Sequence, residues 1–115
     1  MTVNTNLRQH AANAISGFNR LFTAGKTCDV NRASVYGIAL KYFITQQSMS
    51  VAQASKILGY KSPQCFNFVL NRRKEKDFFR DELTFFCARL GINEEMFFNL
   101  CKEIKFLLKT NGQTN

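Results

Sequence analysis

The chain has only one proline and six glycines in 115 residues. These two residues interrupt regular structure more often than any others, so their scarcity leaves room for long helices. Alternating apolar and polar residues, β-branched runs and paired turn dipeptides, which indicate strands and hairpins, are nearly absent as well. The sequence therefore predicts an all-helical fold.

Histidine is represented once, and the four cysteines are widely spaced. No two cysteines have the two-residue separation of a zinc knuckle or a redox motif. Cys65, Cys87 and Cys101 lie within apolar helical runs, where a thiol behaves as a small hydrophobe, and we interpret them as structural. His10 is expected at the surface. Because a Gly-rich phosphate loop is also lacking, we expect no catalytic residue, no metal and no cofactor.

Long apolar runs are missing too. No run approaches the length that crosses a bilayer, and the first 16 residues lack the uninterrupted apolar stretch of a signal peptide. We therefore expect a soluble cytoplasmic protein with reduced thiols and no contact with a membrane. Hydrophobic residues make up 45% of the chain, which is enough for a core, and the length fits a single domain.

Acidic residues are outnumbered two to one, since eight Asp and Glu face sixteen Lys and Arg for a net charge of +8. Such an imbalance attracts polyanions, of which nucleic acid is the most common. The excess is concentrated in the middle of the chain. Residues 56–80 have seven basic and two acidic side chains, whereas residues 81–115 have four and five.

The spacing of apolar residues predicts six helices over residues 5–24, 33–47, 51–58, 62–71, 77–90 and 94–109. Helix starts are indicated by capping side chains, and helix ends by glycines. The caps are Ser50, Ser62 and Asn93, and the stops are Gly25, Gly59 and Gly91. We divide the chain into an N-terminal helix and loop (1–31), a main domain (32–109) and a disordered tail (110–115).

Residues 51–74 fit a helix-turn-helix, in which two short helices pack across a tight turn. Ala54 and Ser55 are small enough for the helices to touch, and Leu58 closes the first helix. Gly59 can adopt the left-handed conformation that the turn needs. Three apolar anchors are then expected to hold the second helix against the core: Tyr60, Cys65 and Phe68.

This segment resembles the lambda-repressor/Cro-like helix-turn-helix family over about residues 35–96. In that family a leading helix precedes the motif, a basic turn follows it, and a further helix ends in a phrase like CARLGINEEMFF, residues 87–98 here. The resemblance implies a bacterial or phage-type regulator built as a bundle of about five helices. It also implies a homodimer that places the second motif helix in the major groove of a two-fold DNA site. The helix over 5–24 has no counterpart there, and we interpret it as an added dimerisation or partner-binding element.

Carried over by motif position, the resemblance assigns two sets of residues to DNA. The base-contacting set is Lys61, Ser62, Gln64 and Asn67. The phosphate-contacting set is Ser50, Gln53, Arg72, Arg73 and Lys74. Amide side chains can pair with adenine, whereas phosphate contacts fix the register without reading sequence. Ordinary solvated surface is the alternative interpretation for the amides and for the basic run.

Two functions follow, of which the first is a sequence-specific regulator that binds double-stranded DNA, with repression favoured over activation. The second is a protein-interaction module, antitoxin-like or phage-defence-related, that keeps the helix-turn-helix shape without reading DNA. Its support is the apolar excess, both at Phe66 and around most of the last helix. We expect Phe66 to pack on another helix rather than contact a thymine methyl. The other Phe pairs are expected to form core rather than stack on single-stranded bases. A homodimer interface is expected on the first or the last helix.

Overall fold

A computed structural model of the protein describes the backbone of residues 2–20, 30 and 32–113 and the side chains of residues 6–18, 30 and 32–110. These residues form an all-helical fold without a strand, as the sequence predicts. The helices are α1 (Thr2–Arg20), α2 (Val35–Gln46), α3 (Val51–Leu58), α4 (Pro63–Leu70), α5 (Arg80–Leu90) and α6 (Glu94–Gln113). None of these described helices has the length and apolarity that a membrane span requires.

Helix N-termini lie where capping residues predict them. The hydroxyl oxygens of Ser50 and Ser62 accept hydrogen bonds from the third residue of α3 and of α4, and Asn93 does the same for α6. Helices α1 and α2 begin at Thr2 and Val35 rather than at residues 5 and 33. Helix α5 begins at Arg80 rather than at residue 77. The reason is a short 3₁₀ turn, Lys74–Lys76, after which the chain is extended up to the first turn of α5.

Helix C-termini are also set by local chemistry. Gly59 and Gly91 end α3 and α5 with φ angles of 87° and 71°, in the left-handed region that glycine adopts without strain. Helix α6 continues through Gln113, beyond the predicted end at residue 109, so the tail is helical over residues 110–113. The predicted stop at Gly25 and the end of the first helix lie outside the described residues.

One half of the core is a three-helix layer of α1, α2 and α6. Helix α1 packs against both of the others and buries Ala11, Ala14 and Phe18. Helix α6 is covered by α1 and α2 and also contacts α5, which buries Phe97 and Ile104 completely. The apolar excess of the last helix is therefore largely used within the chain, because α6 has three neighbours rather than one.

The other half contains α3, α4 and α5, joined to the first through α2. The closest approach is at Gly37, where a Cβ atom would lie 2.3 Å from the carbonyl oxygen of Leu70 at the end of α4. Just before α2, the Ser34 amide donates to the carbonyl of Arg72 at 2.9 Å, and the Lys74 amide donates to the carbonyl of Arg32 at 3.0 Å. The end of α4 is thus fixed to the start of α2 by backbone contacts.

Candidate nucleic-acid interface

The turn between α3 and α4 decides which face of α4 points outward. The Ser55 hydroxyl donates to the carbonyl of Ser62 at 3.1 Å, which fixes the turn, and Pro63 occupies the first position of α4. The Tyr60 ring, just after the left-handed glycine, stacks on the ring of Phe66 with centroids 5.2 Å apart. Phe66 also meets Phe86 of α5 edge-on at 6.0 Å.

Of the three anchors that the sequence predicts, Tyr60 packs against the core, whereas Cys65 and Phe68 do not. Phe66 and Leu70 are fully buried, whereas Cys65 is exposed and Phe68 is 83% exposed. At about 100° per residue, positions 66 and 70 face a direction about 150° around the helix axis from that of positions 65 and 68. The prediction was wrong because the Phe66 ring buries far more apolar area than the Cys65 thiol and finds two aromatic partners inside. The expectation that Phe66 packs on another helix is confirmed.

The outward face of α4 combines three of the four predicted base-contacting residues with an unexpected aromatic ring. Lys61 and Gln64 are exposed at its N-terminal end, and Asn67 is half-buried one turn later. Their spacing of three residues puts both amides on the same side of the helix. Phe68 follows Gln64 by four residues, so its exposed ring lies on the same side of the helix as that amide.

Three other predicted contact residues are occupied by helix capping. Ser50 and Gln53 form a reciprocal pair, in which Ser50 Oγ accepts from the Gln53 amide at 3.0 Å and Gln53 Oε1 accepts from the Ser50 amide at 2.8 Å. Ser62 Oγ accepts from the amide of Cys65 at 3.3 Å. These hydroxyl and amide groups stabilise α3 and α4, which leaves them fewer free hydrogen-bonding positions for DNA.

Arg72 is committed to a contact inside the protein. Its guanidinium donates two hydrogen bonds to the carboxylate of Glu82 on α5, at 2.8 and 3.0 Å, and lies 4.7 Å from the ring centroid of Phe78. Glu82 Oε1 also accepts from the backbone amide of Phe79 at 2.9 Å. The hydrogen bonds from Arg72, together with the Phe79 amide, lower the pKa of Glu82 below its ordinary value. Arg72 thus braces α4 against α5.

The remaining predicted phosphate contacts, Arg73 and Lys74, are exposed on the chain that leaves α4. They end a stretch over residues 30–74 in which the sequence has no Asp or Glu, and Glu75 follows directly. Lys56 on α3 is exposed as well and was not included in the sequence prediction. Its spacing of three residues from Gln53 is the signal that could have indicated the outward side of α3.

Ile57 and Phe68 are the site residues that the sequence could not have indicated. Ile57 of α3 is 44% exposed, and with Phe68 it adds apolar surface to the helix-turn-helix. Apolar residues in an amphipathic helix are ordinarily assigned to the core. The exposure of these two side chains is therefore known only from the packing of α3 and α4. Both residues matter for the choice between a DNA and a protein partner.

The described cysteines of α5 and α6 are structural. Burial raises the pKa of the Cys87 thiol to about 11 and that of Cys101 further still, so both remain protonated. The structural interpretation therefore holds for these two thiols but not for the exposed Cys65. His10 is exposed, as predicted, and its ring hydrogen-bonds the Tyr42 hydroxyl. Over the described ranges no group of three or more His, Cys, Asp or Glu residues could hold a metal ion.

Comparison of the chain with known protein families, proteins and structures finds no relative. No family model matches the chain, and no curated protein or solved structure is significantly similar to it. The resemblance to Cro-like regulators thus rests on the residues quoted for it.

Proposed function

We propose that the protein is a sequence-specific regulator that binds double-stranded DNA by inserting α4 into the major groove, with repression favoured over activation. The observation that carries the proposal is the N-terminal end of α4, where Lys61 and Gln64 are exposed in a segment without acidic residues. Lysine and glutamine at the tip of a helix offer the donors and acceptors that base edges recognise. Asn67 lies on the same side of α4 and extends the base contacts by one helical turn.

Phosphate contacts are assigned to the exposed cations around this helix. Arg73 and Lys74 follow α4 directly, and Lys56 lies on α3. These side chains supply affinity without sequence preference. Arg72 has a different role in this proposal: its contact with Glu82 holds the C-terminal end of α4 in place while the neighbouring cations meet the DNA.

A homodimer in the cytoplasm is the proposed working form. A single motif covers little DNA, and a second copy doubles the contacts on a two-fold site. Since the apolar face of α6 is largely buried within the chain, the described apolar surface that it leaves for a partner copy is small. Its exposed apolar residues are Met96 and Phe106, and Phe106 lies 5.8 Å from the guanidinium of Arg8 on α1.

A second candidate function is supported by Phe68. Its ring is 83% exposed, and Ile57 on α3 of the same motif is also exposed, so the helix-turn-helix has apolar surface that a partner protein would cover. In this alternative the helix-turn-helix is a docking shape, and the exposed ring rather than Gln64 is the main contact.

The experiment that separates the two functions is selection of bound sequences from random duplex DNA, followed by titration of the selected duplex at several salt concentrations. A DNA-binding regulator selects a defined motif, and its affinity falls steeply with salt. Absence of any selected motif, together with a stoichiometric complex with another protein, contradicts the first proposal and supports the second.

A further inference from the structure

A groove of about 520 Å³ lies between the start of α2, the 3₁₀ turn after α4 and residues 98–109 of α6. Its apolar part is formed by Val35 and Tyr36 of α2 and by Phe98 and Leu108 of α6. This volume falls within the range of sites that bind small molecules. The two aromatic rings are half-buried and meet edge-on, with centroids 6.1 Å apart.

Four lysines also line this groove. Lys102, Lys105 and Lys109 follow each other at spacings of three and four residues along one face of α6, and Lys74 belongs to the 3₁₀ turn opposite. By composition the C-terminal third of the chain is nearly neutral, because Glu94, Glu95 and Glu103 balance its lysines in number. The fold separates these charges, which composition cannot show.

The lysines of the groove have no carboxylate partner among the described residues. Glu103 on α6 is directed to the other side, where it pairs with Arg8 of α1 at 3.5 Å. Asp77 is the one acidic residue in the lining, and its Oδ1 already accepts from the Ser34 hydroxyl and from the amide of Phe78. The groove therefore has a net positive charge next to an apolar surface.

Like charges at these spacings on a helix repel each other and lower helix stability. An anion between Lys74 and the lysines of α6 would offset that repulsion. Lysine is a common phosphate-binding residue, since its ammonium acts as a compact point charge. Tyr36 stacks on Phe97, and the guanidinium of Arg80 lies 4.4 Å from the ring centroid of Phe98. The parts of the Tyr36 and Phe98 rings that these contacts leave uncovered offer an apolar surface for a flat group.

We propose that this groove binds a small phosphate ester with an aromatic body, of the size of a nucleoside monophosphate. The phosphate lies between the lysines of α6 and Lys74, and the aromatic body lies against Tyr36 and Phe98. The groove shares only Lys74 with the proposed DNA contacts, so the proposal does not require DNA binding. If both proposals are correct, the ligand is an effector of the regulator.

The test is calorimetric titration of the full chain at low salt with AMP, GMP, CMP and UMP, and with adenosine as the uncharged counterpart. The site variant is Lys102→Gln/Lys105→Gln. The matched control is Lys56→Gln/Lys61→Gln, which removes the same charge from α3 and the turn before α4. We expect at least one nucleotide to bind the wild type and the control, roughly tenfold weaker binding to the site variant, and no binding of adenosine. Melting curves of both variants verify that the fold is retained.

Three results overturn the proposal. The first is that none of the four nucleotides binds the wild type. The second is equal nucleotide binding by the site variant and the control, and the third is adenosine binding as tight as that of AMP. A duplex DNA titration of the same variants separates this failure from that of the proposed function. If no nucleotide binds but the site variant loses duplex affinity, the lysines belong to a nucleic-acid surface and the DNA-binding proposal remains intact.

Discussion

The guanidinium of Arg72 holds the carboxylate of Glu82 through two hydrogen bonds, of 2.8 and 3.0 Å, between the end of α4 and the first turn of α5. A bidentate pair of this kind is directional as well as strong. It joins two helices that the chain connects only through the 3₁₀ turn and a short extended segment. The orientation of α4 therefore depends on a residue whose motif position predicts a DNA phosphate contact.

Arg72→Gln is predicted to lower the free energy of unfolding by about 1–2 kcal/mol, because a half-exposed hydrogen-bonded pair is broken. The measurement is urea denaturation of wild type, Arg72→Gln, Glu82→Gln and the double variant. The coupling between the two positions should exceed that between Arg8 and Glu103, a single contact of 3.5 Å with an exposed arginine. Equal coupling in the two pairs would show that Arg72 is not a structural residue.

The pH dependence of stability should reveal the same pair. The pKa of Glu82 is lowered in the folded protein from an ordinary value of 4.5, so its contribution is complete above that value. It is lost as the pH falls further, through the lower pKa of the folded state. Between pH 6 and pH 3 the wild type should therefore lose more stability than Glu82→Gln, which cannot titrate at this position. Parallel stability curves for the two proteins would contradict the assigned pKa shift.

Gly37→Ala is predicted to destabilise the protein by about 1–3 kcal/mol, although alanine favours helices more than glycine does. The added Cβ would meet the backbone carbonyl of Leu70 at 2.3 Å, and a carbonyl at the end of a helix has little room to move. Gly17→Ala in α1 is the matched control, since nothing lies within 4 Å of its Cβ position. That variant should be stabilised by about 0.5–1 kcal/mol in thermal or chemical denaturation. Similar effects of the two substitutions would contradict the close packing of α2 on α4.

The corrected register of α4 makes opposite predictions for two nearby phenylalanines. Phe66→Ala should lose about 3–5 kcal/mol, because the ring is fully buried between Tyr60 and Phe86. Phe68→Ala should change stability by less than about 0.5 kcal/mol, because its ring is exposed. Chemical denaturation of the two variants measures both values. The reverse order would restore the register that the sequence predicts.

Local signals in the sequence were sufficient for the helices and their ends. Ser62 followed by Pro63, Gly59 and Asn93 act through contacts within a few residues, and each has the predicted role. The register of α4 was not predictable in the same way. Apolar residues occupy positions 65, 66, 68, 69 and 70, so two faces of the helix could be taken as the inner one. Only the rings of Tyr60 and Phe86 decide between them.

Contacts between residues far apart in the chain could not be predicted from the sequence either. Arg72 belongs to the basic run that follows α4, and nothing local distinguishes it from Arg73, which is exposed. The pairing of Arg72 with Glu82 could be found only from the way α4 packs on α5. The close contact at Gly37 also depends on tertiary packing, because the sequence around a helical glycine does not indicate which residue packs against it. Part of the candidate site thus depends on tertiary structure.

The salt dependence of DNA binding should identify the phosphate contacts. Replacing Arg73 and Lys74 with Gln is expected to weaken binding to all duplexes alike. The slope of log K against log salt should fall by about 1.8, or roughly 0.9 for each phosphate that is no longer neutralised. The control Arg8→Gln/Lys109→Gln removes the same charge from α1 and α6, and its slope should remain near that of the wild type. An equal reduction in both variants would mean that net charge, rather than position, governs the affinity.

Specificity for DNA should depend on Gln64 and Asn67, which share one side of α4. Because neither side chain is fully buried, an alanine at either position should leave the fold intact. A good bidentate base contact discriminates by about 1–3 kcal/mol, so each variant should lose that much specific affinity and relax its preference at one or two base pairs. Gln46→Ala and Asn99→Ala, exposed amides on α2 and α6, are the matched controls and should bind normally.

The variant Phe68→Ala separates the two functions when its DNA binding and its binding to a partner protein are compared with those of Gln64→Ala. In the DNA-binding proposal the exposed ring contributes at most an apolar contact to a thymine methyl, so removal of the ring has a smaller effect than removal of the Gln64 amide. In the docking alternative Phe68 is the central contact, and its removal abolishes the complex with a partner protein while Gln64→Ala does not. Since the fold should tolerate all three substitutions, the order of their effects reflects binding rather than stability. Full DNA selectivity in Gln64→Ala and Asn67→Ala, combined with loss of function in Phe68→Ala, would establish the protein-docking function in place of DNA reading.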